Sequence, residues 1–309
     1  MKRILIVLLL AGLSCAAVAQ TNQESNRPPT LPYKPVLNFF ILPDGKNFGE
    51  VSGVAVNSKG HIFVFHRGQM PLMEFDNRGR FVRELLDGII THAHGLRVDS
   101  NDNLWLTDDS DHFVLKVSPE GRILMVFGRK GRAGESDPRL GILFNRPTDV
   151  AVNSRGEIFV TDGYGNSRVV KFDRTGRFLK TWGKKGKAPG EFDIPHAVVI
   201  DAQDHVYVAD RENGRIQVFD SEGNFLREWG GLKNPQGLFI TANQFLYVAD
   251  GYANRILKMD LNGKILGIFG EEGKVAGQFG IPHALAVGER EEIYVAELLN
   301  WRVQKFEIK

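Results

Sequence analysis

The chain has 309 residues, of which 42% are hydrophobic and 25% are charged, and its formal net charge is +2. These fractions are ordinary for a folded globular protein, and so small a net charge gives no support for binding to nucleic acid or to a membrane surface. Partners therefore have to be inferred from specific sites.

The first residues have the pattern of an export signal. A basic start precedes an apolar run that is too short to span a bilayer, and Ala17-Val18-Ala19 is a small-residue cleavage pattern. We predict a signal peptide over residues 1–19 and a polar, flexible leader over residues 20–30. The protein is then exported, either periplasmic or secreted.

Cys15, the single cysteine, offers a competing cleavage of the lipoprotein type. Gly12, three residues earlier, fits that pattern poorly, so we favour soluble export. In either case the mature domain, residues 31–309, has no disulfide and no membrane span. Its stability must come from packing.

One sequence unit recurs six times along the rest of the chain. Its clearest part is a short apolar run ending in a polar residue, written IFVFH, LWLTD, IFVTD, VYVAD, LYVAD and IYVAE. The six runs begin at Ile62, Leu104, Ile158, Val206, Leu246 and Ile293. Repeats of roughly 40 to 50 residues are typical of β-propeller blades.

Each copy contains four β-rich runs separated by turn-forming Asn, Asp, Ser and Gly, as in PTDVAVNSRG, EIFVTDGYGNSR, VVKFDRTG and RFLKTWG. Six such copies predict an all-β, six-bladed β-propeller. The sixth copy ends after three strands, whereas PVLNFFIL at Pro35–Leu42 supplies an unassigned strand. We predict that this N-terminal strand completes the last blade and closes the ring.

Histidine occupies one position of the repeat in alternate copies. In chain order, the residues at this position are Ser52, His94, Thr148, His196, Gln236 and His283. Alternate blades of a six-bladed ring lie about 120° apart, and their innermost strands line the central channel. Three imidazoles with one open position match a catalytic zinc site, and other first-row metals accept imidazole too. Any one of these histidines alone would be interpreted as a strand cap.

The loops between second and third strands should lie on the same face as the histidines. Arg67 and Arg211 follow the second strand in opposite blades, and Tyr164 and Tyr252 come one place later in theirs. A guanidinium can hold a carboxylate or stabilise a phenolate, and a metal makes a bound hydroxyl more acidic. This set suits removal of a proton from an alcohol beside a carboxylate. The alternative is that these side chains only pack loop against loop.

The repeats resemble those of NHL-repeat propellers. More narrowly, FHRG, DGYGNSR, VADRENGRIQVF and the two IPH motifs resemble those of the peptidyl-α-hydroxyglycine α-amidating lyases, over about Gly49–Phe306. The resemblance implies zinc on the three histidines and catalytic roles for Arg67 and Tyr164, with Tyr164 taking a proton as a phenolate that Arg67 stabilises. Arg211 would orient the tyrosine or bind carboxylate. It also implies cleavage of a C-terminal α-hydroxyglycine to a peptide amide and glyoxylate.

This chain differs from the family at the site of the structural calcium. The resemblance implies that the backbone carbonyls of Val54 and Leu96 would bind it, together with an aspartate directly after the third histidine. This chain has Ala284 at that place. Ile281 likewise stands where the family has a methionine, and Gly165 where it has a cysteine.

Three hypotheses about function stay open. The first is a zinc-dependent carbon–nitrogen lyase of the peptidylamidoglycolate lyase type, acting as a monomer on a peptide or small molecule that ends in an α-hydroxy acid. The second is an exported NHL propeller that only binds a ligand or a protein. The third is a zinc hydrolase on the same site. A calcium-dependent lactonase-type propeller is disfavoured, because calcium prefers oxygen ligands to three imidazoles.

Overall fold

The computed structural model describes residues 28–137 and 141–309, and nearly all regular structure in these residues is β-strand. The predicted signal peptide, residues 1–19, and the leader as far as residue 27 lie outside the described residues. The end of the leader lies along the fifth blade, where the Ile268 N–H donates to the Pro29 carbonyl at 2.9 Å. Within the described ranges, no helix has the length and apolar character needed to cross a membrane.

The strands form six antiparallel blades of four strands each, as predicted. The first strand of the chain is β1 (Tyr33–Val36). Blade 1 contains β2 (Val51–Val56), β3 (Ile62–His66), β4 (Leu72–Phe75) and β5 (Phe81–Leu85), and blade 2 contains β6 (Ala93–Val98), β7 (Leu104–Asp108), β8 (Phe113–Val117) and β9 (Ile123–Gly128). The short hairpin β10 (Ser136–Asp137) and β11 (Gly141–Ile142) follows.

The second half of the ring repeats this plan. Blade 3 contains β12 (Asp149–Val152), β13 (Ile158–Asp162), the helical turn α1 (Gly163–Asn166), β14 (Arg168–Phe172) and β15 (Phe178–Trp182). Blade 4 contains β16 (Pro195–Ile200), β17 (Val206–Asp210), β18 (Arg215–Phe219) and β19 (Phe225–Trp229). Blade 5 contains β20 (Pro235–Ile240), β21 (Leu246–Asp250), a 3-10 turn (Gly251–Ala253), β22 (Arg255–Met259) and β23 (Ile265–Phe269), and blade 6 contains β24 (Pro282–Val287), β25 (Ile293–Glu297) and β26 (Arg302–Ile308).

The N-terminal strand closes the ring. β1 pairs antiparallel with β26, with Tyr33 opposite Ile308, so it is the fourth strand of blade 6, as predicted. The predicted bounds of this strand, Pro35–Leu42, are wrong. Asn38 adopts a left-handed φ of 52°, which ends the extended run, and Ile41 then bridges to blade 1.

Burial explains the composition of the strands. The second strand of each blade is buried along its whole length, because neighbouring blades cover both of its faces. Such a strand is almost continuously apolar instead of alternating. The outermost strands, such as Phe178–Trp182, are largely exposed and mix apolar with polar residues.

One hydrogen bond recurs in every blade. The last residue of the second strand accepts it from a backbone N–H that lies 17 residues earlier. The acceptors are His66, Asp108, Asp162, Asp210, Asp250 and Glu297. This contact explains the deviant IFVFH copy, because His66 Nδ1 replaces a carboxylate oxygen. Burial lowers the pKa of His66 to about 4, which leaves the ring neutral and able to accept.

Removal of the Tyr33 side chain tests the closure. Tyr33 is buried, with its ring centroid 5.1 Å from that of Phe269 and its hydroxyl 3.3 Å from the Tyr247 hydroxyl. We expect Tyr33→Ala to lower the free energy of unfolding by about 3 kcal/mol. Lys34→Ala, at the exposed neighbouring position, should change it by less than about 0.5 kcal/mol. Equal denaturation midpoints for the two variants would contradict this role of β1.

Candidate metal centre

Three histidines meet on the axis of the ring. His94, His196 and His283 lie near the start of the inner strands β6, β16 and β24, and all three are buried. Their ring centroids are 4.7 to 4.9 Å apart. One ligand nitrogen of each lies within 4.8 Å of the other two. The structure therefore brings together the three residues that the sequence predicts as metal ligands.

Each imidazole is oriented by the next blade around the ring. The Nδ1–H groups donate to backbone carbonyls at 2.6 to 2.7 Å, from His94 to Thr148, from His196 to Gln236 and from His283 to Ser52. Because a carbonyl can only accept, each Nδ1 carries the proton and each Nε2 keeps its lone pair. The three acceptors occupy the histidine position of the odd-numbered blades.

The charge state of the cluster suits a metal. Burial lowers the pKa of His94 to about 3, and it lowers the pKa values of His196 and His283 well below their ordinary range. The positive charge of Arg211 acts in the same direction on all three. Neutral imidazole is the form that binds a metal. These three buried side chains could hold one metal ion.

Tyr164 lies directly beside the cluster. Its hydroxyl is 3.0 Å from His94 Nε2 and 3.2 Å from His196 Nε2. Arg211, which follows β17, donates from Nη1 to the same hydroxyl at 3.2 Å. Burial raises the pKa of Tyr164, whereas the charge of Arg211 and its hydrogen bond lower it. The phenol oxygen therefore shares the space next to the free imidazole nitrogens.

The helical turn α1 directs Tyr164 inward. Blade 3 has one residue more in this loop than blade 5, where the shorter 3-10 turn leaves Tyr252 61% exposed. Glycines let α1 approach the backbone of Pro195 and the side chain of Asn145 closely. A Cβ on Gly163 would lie 2.1 Å from the Pro195 carbonyl oxygen, and one on Gly165 would lie 2.1 Å from Asn145 Cγ. The similar sequences DGYGN and DGYAN therefore give tyrosines in different places.

Arg67 lies near the cluster but does not contact Tyr164. Its Nε donates to the Ala93 carbonyl at 3.2 Å and its Nη1 to Glu50 at 2.8 Å. Ala93 immediately precedes His94, so the contact of Arg67 with the metal ligands is indirect, through the backbone of Ala93. The structure thus places Arg211, and not Arg67, on the tyrosine oxygen.

Strained residues hold the loops of this face. Arg146, Ile194 and Ile281 each precede a proline and have left-handed φ values of 64°, 60° and 55°. Their carbonyls accept the backbone N–H groups of Tyr164, Arg211 and Leu298 at 3.4, 3.1 and 3.1 Å. A left-handed φ is unfavourable for a β-branched residue such as isoleucine. The strain is located where the loops of the site are attached.

A further group of residues lies beside Tyr164, although the sequence motifs do not single it out. The guanidinium carbon of Arg146 lies 4.5 Å from the centroid of the tyrosine ring, and Nη2 donates to the buried Asp109 at 2.8 Å. The other oxygen of Asp109 is bound to His92 Nδ1. One signal for Arg146 exists in the sequence, because it is charged where blades 4 and 6 have isoleucine before the proline.

The residues below the cluster do not fit the calcium that the resemblance implies. A cavity of about 20 Å³ is lined by Val54, Leu96 and Ala284, together with Arg97 and Asp149. Ala284 offers no carboxylate, and Asp149 is already paired with the Arg97 guanidinium. Calcium requires six to eight oxygen ligands, and a neighbouring guanidinium opposes its charge. In this part of the channel, the positive charge beside Asp149 comes from Arg97 and not from a calcium ion.

Comparison with known proteins agrees with the fold and the repeat. The NHL repeat family model matches residues 144–172 and 192–219. A probable peptidyl-α-hydroxyglycine α-amidating lyase of Caenorhabditis elegans is 37% identical over 203 residues, which cover 57% of this chain and 57% of that protein. Peptidyl-α-hydroxyglycine α-amidating lyase 1 of Drosophila melanogaster is 30% identical over 84% of this chain and 57% of its own. These matches support the resemblance to the amidating lyases that the sequence motifs indicate.

The chain spans only part of the length of these relatives. The chain also matches the peptidylglycine α-amidating monooxygenase of Rattus norvegicus at 33% identity, over 57% of this chain but only 21% of the rat protein. A streptogramin B lyase structure superimposes with a TM-score of 0.64 at 14% identity, over 90% of this chain and 97% of that one. At this identity the likeness shows the fold alone. The relatives named as lyases support an enzyme.

Replacement of one axial histidine tests whether the cluster binds a metal ion. We expect the purified protein to bind one divalent ion per chain, and His196→Ala to bind less than about a tenth as much, because two imidazoles remain. His205→Ala is the matched control, since His205 is bonded to Asp201 in a turn of the same blade. The measurement is elemental analysis after dialysis. Equal metal content in the two variants would contradict the axial site.

Proposed function

We propose that the protein is a zinc-dependent lyase that cleaves a C-terminal α-hydroxyglycine, or a related α-hydroxy acid derivative, to an amide and glyoxylate. One observation carries the proposal. The Tyr164 hydroxyl lies 3.0 and 3.2 Å from the free Nε2 atoms of His94 and His196. A proton acceptor thus stands beside the place where a ligand hydroxyl would bind.

Zinc fits the donor set. His94, His196 and His283 are neutral, present their Nε2 lone pairs, and have their Nδ1–H groups fixed by carbonyls. Three nitrogen ligands with one open position are typical of catalytic zinc. When bound, the ion would supply Lewis acidity that lowers the pKa of a coordinated hydroxyl.

The proton transfer is assigned to Tyr164. As phenolate, Tyr164 takes the proton of the α-hydroxyl group, and the O–H electron pair forms the new carbonyl bond. The carbon–nitrogen bond breaks, and its electron pair leaves with the amide nitrogen. The proton held by Tyr164 then passes to that nitrogen, so glyoxylate and the amide form without a net change in protons. General acid–base catalysis of this kind contributes about 10² to 10⁴ in rate.

The surroundings of the phenol support this role. Arg211 donates a hydrogen bond to the Tyr164 oxygen, and the charges of Arg211 and Arg67 both lower the pKa of the phenol against the effect of burial. Arg211 is only 13% exposed and is also tied to Glu212. Its position is therefore fixed before a ligand enters, and such pre-organised charge favours catalysis.

The surface beside the site has room for a peptide. A cavity of about 480 Å³ is lined by Arg67, His92 and Trp301, and Trp301 is 59% exposed. An extended peptide that precedes the α-hydroxyglycine could lie there with an apolar side chain on the indole. We propose a monomer outside the cytoplasm, with peptides or small α-hydroxy acid derivatives as substrates.

A pair of tyrosine variants tests the assignment. We expect Tyr164→Phe to lower kcat for glyoxylate release from an N-acyl-α-hydroxyglycine by about 10² to 10⁴, because the general base is lost. Its metal content should be unchanged, since the hydroxyl is not a required ligand. Tyr252→Phe is the matched control, because this exposed tyrosine follows the same DGY pattern in blade 5.

The possible outcomes distinguish the lyase reaction from metal binding alone. Glyoxylate release by the unaltered protein and Tyr252→Phe, but not by Tyr164→Phe, is the expected result. Stoichiometric zinc without any glyoxylate release would reject the lyase and leave the metal centre standing. Equal kcat values for Tyr164→Phe and Tyr252→Phe would reject Tyr164 as the base.

A further inference from the structure

Three arginines on the face that carries Tyr164 lie near its side chain or the histidines, and they differ in how many of their donors are already bonded. Arg67 donates to Ala93 and Glu50 and is 17% exposed. Arg211 donates to Tyr164 and Glu212 and is 13% exposed. Arg146 donates from its side chain to Asp109 alone among the described residues and is 49% exposed. The exposed donors of this group belong mainly to Arg146.

Arg146 is also held more firmly than an ordinary surface arginine. Its backbone N–H donates to His112 Nδ1 at 3.1 Å, and its carbonyl accepts from the Tyr164 N–H at 3.4 Å. The left-handed φ of 64° is uncommon for a residue other than glycine, and such residues cluster at ligand sites. The backbone at this position is therefore fixed from both sides.

The side chain of Arg146 has two further fixed contacts. Nη2 is bound to Asp109, which is 1% exposed and is held in turn by His92. The guanidinium lies 4.5 Å from the centre of the Tyr164 ring, a distance typical of a cation–π contact. A guanidinium has five N–H donors in one plane, so the bond to Asp109 leaves another edge free.

We propose that Arg146 binds the carboxylate of the ligand. The inference takes the chemical class of the ligand, an N-acylated α-hydroxy acid, from the proposed function. The ring face of Tyr164 contacts Arg146, and the hydroxyl of Tyr164 contacts the metal ligands. A ligand whose hydroxyl binds at the metal would therefore have its carboxylate on the side of Arg146. Arg211 then orients the tyrosine, while the free edge of Arg146 donates two parallel hydrogen bonds to the two carboxylate oxygens.

A binding experiment without turnover tests the proposal. The probes are N-acetylphenylalanylglycine, which has the carboxylate but no α-hydroxyl to react, and its C-terminal amide, which lacks the charge. Both are titrated into the metal-loaded protein by calorimetry. We expect Arg146→Gln to weaken binding of the carboxylate probe at least tenfold and to change binding of the amide less than twofold. Arg146→Lys should give an intermediate loss, because an ammonium is a point charge without the planar fork.

Arg174→Gln is the charge-matched control. Arg174 lies in the turn between β14 and β15, at the end of blade 3 away from the histidines, and its replacement makes the same change in net charge. It should bind both probes as the unaltered protein does. An unaltered protein that does not prefer the carboxylate probe would overturn the proposal. Retained preference in Arg146→Gln, or an equal loss for both probes, would also overturn it.

The result does not depend on glyoxylate release. A protein that releases no glyoxylate but loses its carboxylate preference in Arg146→Gln would keep this assignment and reject the lyase. A protein that releases glyoxylate and still prefers the carboxylate probe in Arg146→Gln would keep the lyase and reject this assignment. The two failures are therefore distinguishable.

Discussion

The hydrogen bond from each axial histidine to the carbonyl of the next blade is the interaction on which the site depends. It assigns the proton to Nδ1 and leaves Nε2 of His94, His196 and His283 free on the axis. The acceptors lie in the odd-numbered blades, so each histidine is oriented by the blade that follows its own. One of these bonds, from His283 to Ser52, joins the last blade to the first. Closure of the ring is therefore a condition for the complete metal centre.

The three imidazoles follow the symmetry of the ring, whereas the groups around them do not. Tyr164 reaches the cluster because its loop has one residue more than that of Tyr252 and forms the turn α1. Arg211 and Arg146 then approach the same tyrosine from two further directions, with guanidinium carbons 5.3 and 4.5 Å from the ring centroid. A symmetric centre can hold an ion, whereas the proposed proton transfer depends on such differences between blades. The loops after β13 and β17 and the segment before β12 supply them.

Much of this architecture could be predicted from the sequence. The six runs from IFVFH to IYVAE predict the number of blades, and the alternation of histidine predicts the axial histidine cluster, because both depend only on periodicity. The bounds of β1 could not be predicted, since the strand ends where Asn38 takes a left-handed φ. The predicted partner of the Tyr164 phenolate is Arg67, whereas Arg211 donates to the Tyr164 oxygen in the structure. This difference depends on loop dihedrals that a repeat pattern does not contain. The bond from Arg146 to Asp109 joins residues 37 positions apart and has no local signal.

The central claim is that three imidazoles, each fixed by the next blade, hold one ion through Nε2. Crystals of the metal-loaded protein, measured on both sides of the absorption edge of the bound metal, test it most directly. The account predicts one anomalous peak on the axis, about 2.0 to 2.1 Å from each Nε2 of His94, His196 and His283 if the ion is zinc. A peak bonded to Nδ1, or a metal bound only elsewhere on the chain, would contradict it.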